Sequence, residues 1–330
     1  MKIKIANRII SESTSAFIIA EVANSHEGSL QVAKKLVEAA VEAKADAVKF
    51  QKFVTEELLV ASHPQFSLFK KLEFKENEWR ELFDYAKEAG IVLFADVFDL
   101  PSAEFLTSLN MPAYKIHSTD VSNPDLLKYV GDQQKPIFFG VGATYPDEIE
   151  TALSFLNDQV ILMHGFQAFP TKIEETNLQF LNTLHNRFKR PVGFMDHLNA
   201  DDPLAAVLPL VSIGYGASVI EKHITLDRSQ KGIDHESALN PDEFKRFVEQ
   251  CRKIELAIGS EKFVFSASEE KYRKNMKKSI VARRNIEPWE TITKEMLAFK
   301  RAFGGLSPMN AGKLLGKTTA NGMKKDDVFI

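Results

Sequence analysis

The chain has 330 residues, 44% of them hydrophobic, with 42 basic against 45 acidic side chains and a formal net charge of -3. A substantial core is within reach, a disordered chain is excluded, and nothing draws the protein as a whole toward nucleic acid or anionic lipid. Cys251 is the single cysteine, which excludes an internal disulfide and a thiolate zinc knuckle. No apolar run approaches the roughly 20 residues that span a bilayer, and the opening "MKIKIANRII" is too short and too polar for a secretion signal. The expectation is a soluble cytoplasmic protein with no membrane and no nucleic-acid partner.

In chain order, "MKIKIANRII" reads as a small hairpin lying across one end of the main domain. Short apolar runs then alternate with amphipathic helical stretches. The runs are "AFIIAEV" (16–22), "AVKFQ" (47–51), "IVLFADV" (91–97), "YKIHS" (114–118), "PIFFGVG" (136–142), "VILMHG" (160–165), "PVGFMDH" (191–197) and "VIEKHIT" (219–225). Continuous apolar runs of this length suit parallel strands buried on both faces. The stretches between them have helical spacing and end signals, such as Pro146 opening "PDEIETALSFLN" and Gly90 closing "ENEWRELFDYAKEAG". About eight such units in about 250 residues predict a (β/α)8 TIM barrel running from about Ala16 to Gly259. An open doubly wound sheet is the alternative, but its G-x-G-x-x-G fingerprint is missing after the first strand. Beyond Ser260 the pattern changes. With the barrel taken as 1–262, residues 263–278 read as a polar linker and 279–330 as a small β-rich domain. At about 50 residues that domain is marginal alone and is expected to lean on a partner surface.

Polar side chains fall late in the predicted strands: Glu21, Lys49, Asp96, Lys115, Ser118, His164, His197 and His223. Barrel active sites form at that end. His197 and His223 close successive strands, so they can share a divalent ion and leave positions open for water and substrate oxygens. Nitrogen and oxygen ligation without thiolate admits Mn²⁺, Zn²⁺, Fe²⁺ or Co²⁺. The alternative is that each imidazole bonds a loop carbonyl. Lys49 and Lys115 lie in apolar strands and need partners, since desolvating an ammonium is costly. Those partners are an anionic substrate or, alternatively, internal carboxylates such as Glu21 or Glu221; Schiff-base chemistry is a third use. Glu21, Asp120 and Asp234 are candidate acid–base groups.

The stretch "IIAEVANSHEGSLQVAKKLVEAAVEAKADAVKFQ" resembles the opening of sialic acid synthases, and "SVIEKHITLDRSQKGIDHESALNPDEF" is very similar to a second segment of that family. The tail, including "LGK" at 315–317, resembles the antifreeze-like SAF domain. The resemblance spans nearly the whole chain. It implies a TIM barrel followed by a β-rich SAF domain, and condensation of phosphoenolpyruvate with the open-chain aldehyde of an N-acetylated hexosamine. It also implies a divalent metal, Mn²⁺ above all, and a domain-swapped homodimer in which each SAF domain covers the partner's barrel. By the same resemblance His197 and His223 are metal ligands and Glu21, Asp120 and Asp234 stand near metal and acceptor. Lys49, Lys115, Ser118, Asp96 and Gln167 occupy donor-binding positions, and Arg301 in "FKRAF" reaches the acceptor sugar. Four positions depart from the family pattern: Asp96 replaces Thr, Gly140 replaces Ser, Gln167 replaces Asn and Met195 replaces Ser. Two like charges about 4 Å apart repel by about 4 kcal/mol at an effective dielectric of about 20, so an ionised Asp96 opposes a phosphate unless it is protonated, turned away or paired with a lysine. Phosphoenolpyruvate is the donor the family implies. A metal-dependent aldolase or lyase using unphosphorylated pyruvate, and a non-catalytic sugar-binding paralogue, are the alternatives.

Overall fold

A computed structural model describes residues 1–165, 168–259 and 262–330. The expected hairpin is present as β1 (Ile3–Ile5) and β2 (Arg8–Ile10), paired antiparallel. The eight apolar runs form β3 (Phe17–Ala23), β4 (Ala47–Lys52), β5 (Val92–Val97), β6 (Tyr114–Ile116), β7 (Ile137–Gly140), β8 (Val160–His164), β9 (Val192–Asp196) and β10 (Ala217–His223). These strands pair in parallel and in sequence order, and β10 returns to β3 to close a barrel.

Side-chain alternation divides the strands into two packing faces. Ile18, Ala20 and Val22 of β3 face outward into the main core beneath the helices. Phe17 and Ile19 face inward and pack with Phe94, Phe138, Ile161, Met163, Met195 and Val219. Ile3, Ile5 and Ile10 of the hairpin join this inner cluster. Their partners sit early in the strands, so the hairpin seals the N-terminal end and leaves the other end as the mouth.

Caps fix where the chain leaves each strand. Asp99, just past β5, accepts from the Ser102 amide at 2.6 Å to start a helix and from the Val54 amide at 2.8 Å, which ties two mouth loops together. His26, past β3, is buried against Phe74, and its Nδ1 accepts from the Gly28 amide at 3.0 Å. Burial pushes its pKa down to about 3, so it is a neutral structural group.

The chain divides into two compact units, Met1–Gly259 and Ser260–Ile330. The stretch expected to be a linker contains a helix, Ala267–Met276, because Ser266 and Glu269 form a capping box ahead of a run of good helix formers. Its residues are polar and none is buried, which is why hydrophobic periodicity does not reveal it. The second unit pairs β11 (Lys278–Ala282) antiparallel with β12 (Leu297–Arg301) around Ile280, Ile286, Ile292, Met296 and Phe329. Among the described residues no helix is long and apolar enough to cross a membrane.

Candidate active site

The interior positions nearest the mouth carry a buried ionic layer. Lys49 Nζ lies 2.7 Å from Glu21 and 3.4 Å from Glu221, and is hydrogen-bonded to Asp96. Lys115 Nζ lies 2.6 Å from Glu221 and 3.8 Å from Asp96. None of the five residues is more than 2% exposed. The internal-salt-bridge alternative for the lysines is therefore realised. Three carboxyls thus face two lysines in this layer.

The layer settles its own protonation. Burial works against the Lys49 ammonium, yet Asp96, Glu21 and Glu221 hold its pKa well above the ordinary lysine value. Burial also opposes ionisation of Asp96 and Glu221, but Lys115 and Lys49 overcome it and keep both below the usual carboxylate range. Glu21 is the member left out. Burial, with Glu221 and Asp96 as like charges, raises it to about 8 against the pull of Lys49. At neutral pH Asp96 and Glu221 are thus carboxylates, Lys49 is an ammonium and Glu21 is a neutral acid. Asp96 Oδ1 and Glu221 Oε2 have no hydrogen-bond partner.

The two histidines sit one step nearer the mouth, because His223 follows Glu221 and His197 follows Met195 by one strand period. Their rings lie 5.2 Å apart between centroids, with Phe169 at 4.4 Å from His197. Both backbones are held by one loop: the Ser237 hydroxyl donates to the His197 carbonyl at 2.8 Å, and the Leu239 amide donates to the His223 carbonyl at 2.9 Å. Burial, then the neighbouring His197, pushes the His223 pKa well down, and His223 Nδ1 is buried without a hydrogen-bond partner. An orphaned neutral imidazole beside a second one fits a divalent cation. Among the described residues no third His, Cys, Asp or Glu completes a cluster with them.

The same loop carries Asp234 in a left-handed turn at φ 63°. Burial raises its pKa to about 6, with His235 and Lys49 opposing. Asp120 stands differently. Its carboxylate accepts from the Thr119 hydroxyl at 2.9 Å and from Asn123 at 3.2 Å, within its own turn. Ser118 is half-buried, and its amide nitrogen lies 3.0 Å from where a Cβ on Gly140 would project, so the glycine accommodates the Ser118 backbone. Met195 packs against Gly165, whose added Cβ would meet the Met195 carbonyl at 2.6 Å. His164 does not join the site. It points outward, with Nε2 2.9 Å from the Thr176 carbonyl and its ring against Phe180. Gln167 lies outside the described residues. Arg301 ends β12 with an exposed side chain.

Three features went unnamed as site groups in the sequence. Glu221 appeared only as a possible lysine partner, although strand period places it on the face of His223. Asn24 donates to Gln51 at 3.1 Å, and Gln51 shares the inward face of Lys49. His117 follows β6, and burial lowers its pKa to about 4.

The NeuB family model matches residues 36–263, and the SAF domain model matches 277–329. The chain belongs to the NeuB family. It is 35% identical over 332 residues to an uncharacterized protein of Methanocaldococcus jannaschii, covering 99% of this chain and 97% of that protein. It is 32% identical over 326 residues to the N,N'-diacetyllegionaminic acid synthase of Legionella pneumophila, covering 92% and 90%. The crystal structure of the N-acetylneuraminic acid (sialic acid) synthetase of Leptospira borgpetersenii in complex with citrate superposes with a TM-score of 0.78 at 31% identity, covering 84% of this chain and 97% of that one. This NeuB-family chain is a carbon–carbon bond-forming transferase built as a TIM barrel followed by a SAF domain.

Proposed function

We propose that the chain joins a three-carbon enolpyruvyl donor to the aldehyde of an N-acetylated hexosamine, forming a nonulosonic or related 2-keto sugar acid. The observation that carries this reading is the two-tier mouth: a histidine pair above a buried layer of carboxyls and ammoniums. His197 and His223 would hold a divalent ion, with Mn²⁺ favoured by the resemblance, which supplies Lewis-acid polarisation of the acceptor aldehyde. Glu21, neutral near pH 7, holds a proton for the developing alkoxide. Asp234, mostly ionised there, is the base that faces it in acidity. Lys49, Lys115 and Ser118 orient the donor, and Arg301 binds the acceptor sugar in a domain-swapped homodimer. Asp120, engaged in its own turn, acts as a positioning residue.

Phosphoenolpyruvate is the donor implied by the family. The pairing of Asp96 with Lys49 favours a second reading, a metal-dependent aldolase or lyase working on unphosphorylated pyruvate. The test is a panel of N-acetylhexosamines with either donor, following phosphate release, pyruvate consumption and the keto-acid product by mass spectrometry. A product with either donor is expected. No product with any aldehyde, from metal-loaded protein, would leave the non-catalytic sugar-binding reading in its place.

A further inference from the structure

The orphaned groups in the ionic layer are acceptors. Asp96 Oδ1, Glu221 Oε2 and Asn24 Oδ1 are buried and lack hydrogen-bond partners, whereas Glu21 Oε2 lies 2.7 Å from the Lys49 ammonium. Each buried acceptor left unmatched costs desolvation free energy, so the site is built to receive hydrogen-bond donors. Both inward-facing strand cations, Lys49 and Lys115, are already paired with carboxylates and are 1% and 2% exposed. A phosphate monoester brings acceptor oxygens and two or more negative charges, and meets neither an unmatched donor nor an unpaired cation there. Beside the layer, the Ser118 backbone packs on Gly140 and Met195 on Gly165, where the family pattern has hydroxyl side chains at 140 and 195.

We propose that the donor subsite takes pyruvate through its enol, with Asp96 Oδ1 accepting the hydrogen of the enol hydroxyl, in place of the enol phosphate ester. This rests on the condensing reading above. The chemistry balances without a leaving group. A carboxylate at the mouth, Asp234 in this assignment, takes a proton from the pyruvate methyl and returns it to the carbonyl oxygen, giving the enol whose hydroxyl donates to Asp96. The C3–C1 bond forms to the aldehyde as the enol gives up its proton and the ketone returns, and the aldehyde oxygen gains a proton. Pyruvate and aldehyde sum to the product, with no water consumed, no phosphate released and no change of oxidation state overall. Such a reaction runs in both directions, so the same site cleaves its product.

The test uses the full chain loaded with manganese. Calorimetry with pyruvate and with phosphoenolpyruvate should show pyruvate binding at least tenfold more tightly. Deuterium uptake into the pyruvate methyl group, read by mass spectrometry without aldehyde, should be catalysed by the parent and fall at least tenfold in Asp96→Asn. Asp96→Thr should move the binding ratio at least tenfold toward phosphoenolpyruvate. Circular dichroism identifies any variant that has lost its fold, and the parent's own binding ratio decides in that case. Phosphoenolpyruvate binding as tight as pyruvate, with phosphate released on condensation, overturns this proposal and keeps the condensing reading. If the folded parent binds neither ligand and exchanges no methyl proton, the condensing reading falls and takes the proposal with it.

Discussion

His223 presents a buried, unpartnered Nδ1 at 4% exposure, and such an atom persists where something else satisfies it. Replacing both His197 and His223 by Ala should therefore abolish bound manganese and turnover together, while circular dichroism stays unchanged. Full metal occupancy in the double mutant would show that the ion sits elsewhere. Glu21 and Asp234 make a second residue-scale statement. Glu21 is raised to about 8 and acts while protonated, so activity is lost as pH rises through that value. Asp234 is raised to about 6 and acts while ionised, so activity is lost as pH falls through it. The expected kcat/KM profile is a bell between those limbs. A profile flat from pH 5 to about 9 would remove both assignments.

At the scale of elements, the two histidine-bearing strands are locked on their outer face. Lys222 and Asp196 are register partners in β10 and β9, are ion-paired with each other, and are 0% and 2% exposed. Each is the immediate neighbour of a histidine, so the pair sets the register of the imidazoles. Removing one partner strands a buried charge, which costs about 3–5 kcal/mol. Asp196→Ala should lose stability on that scale in chemical denaturation, and Asp196→Leu combined with Lys222→Met should recover most of it. A single mutant within about 0.5 kcal/mol of the parent would mean that Lys222 finds another partner.

At the scale of the molecule, the SAF unit leaves Phe303 82% and Met309 92% exposed, a cost that a small core tolerates when a second surface covers them. Sedimentation at micromolar concentration should give a dimer; a monomer removes the swapped arrangement. The shared site has its own test. Mixing Arg301→Ala chains with His197→Ala chains should restore activity, since one site can form from the intact barrel of the first and the intact SAF unit of the second. No rescue in verified heterodimers would place Arg301 outside the site.

The barrel was legible in the chain because continuous apolar runs and helix end signals are local, and eight such runs at regular spacing admit few other architectures. The hairpin, the strand-end histidines and the late-strand lysines come from the same local pattern. What needed the tertiary structure was pairing. Whether Lys49 and Lys115 await a ligand or are already neutralised depends on which carboxyls the closed barrel brings within a few ångströms, and Glu221 is remote from both in sequence. Likewise, His164 occupies a strand end as His197 does, but the parity of its strand turns it outward, and only the closed sheet sets that parity. Local periodicity decides which residues are buried; ring closure decides which buried charges meet.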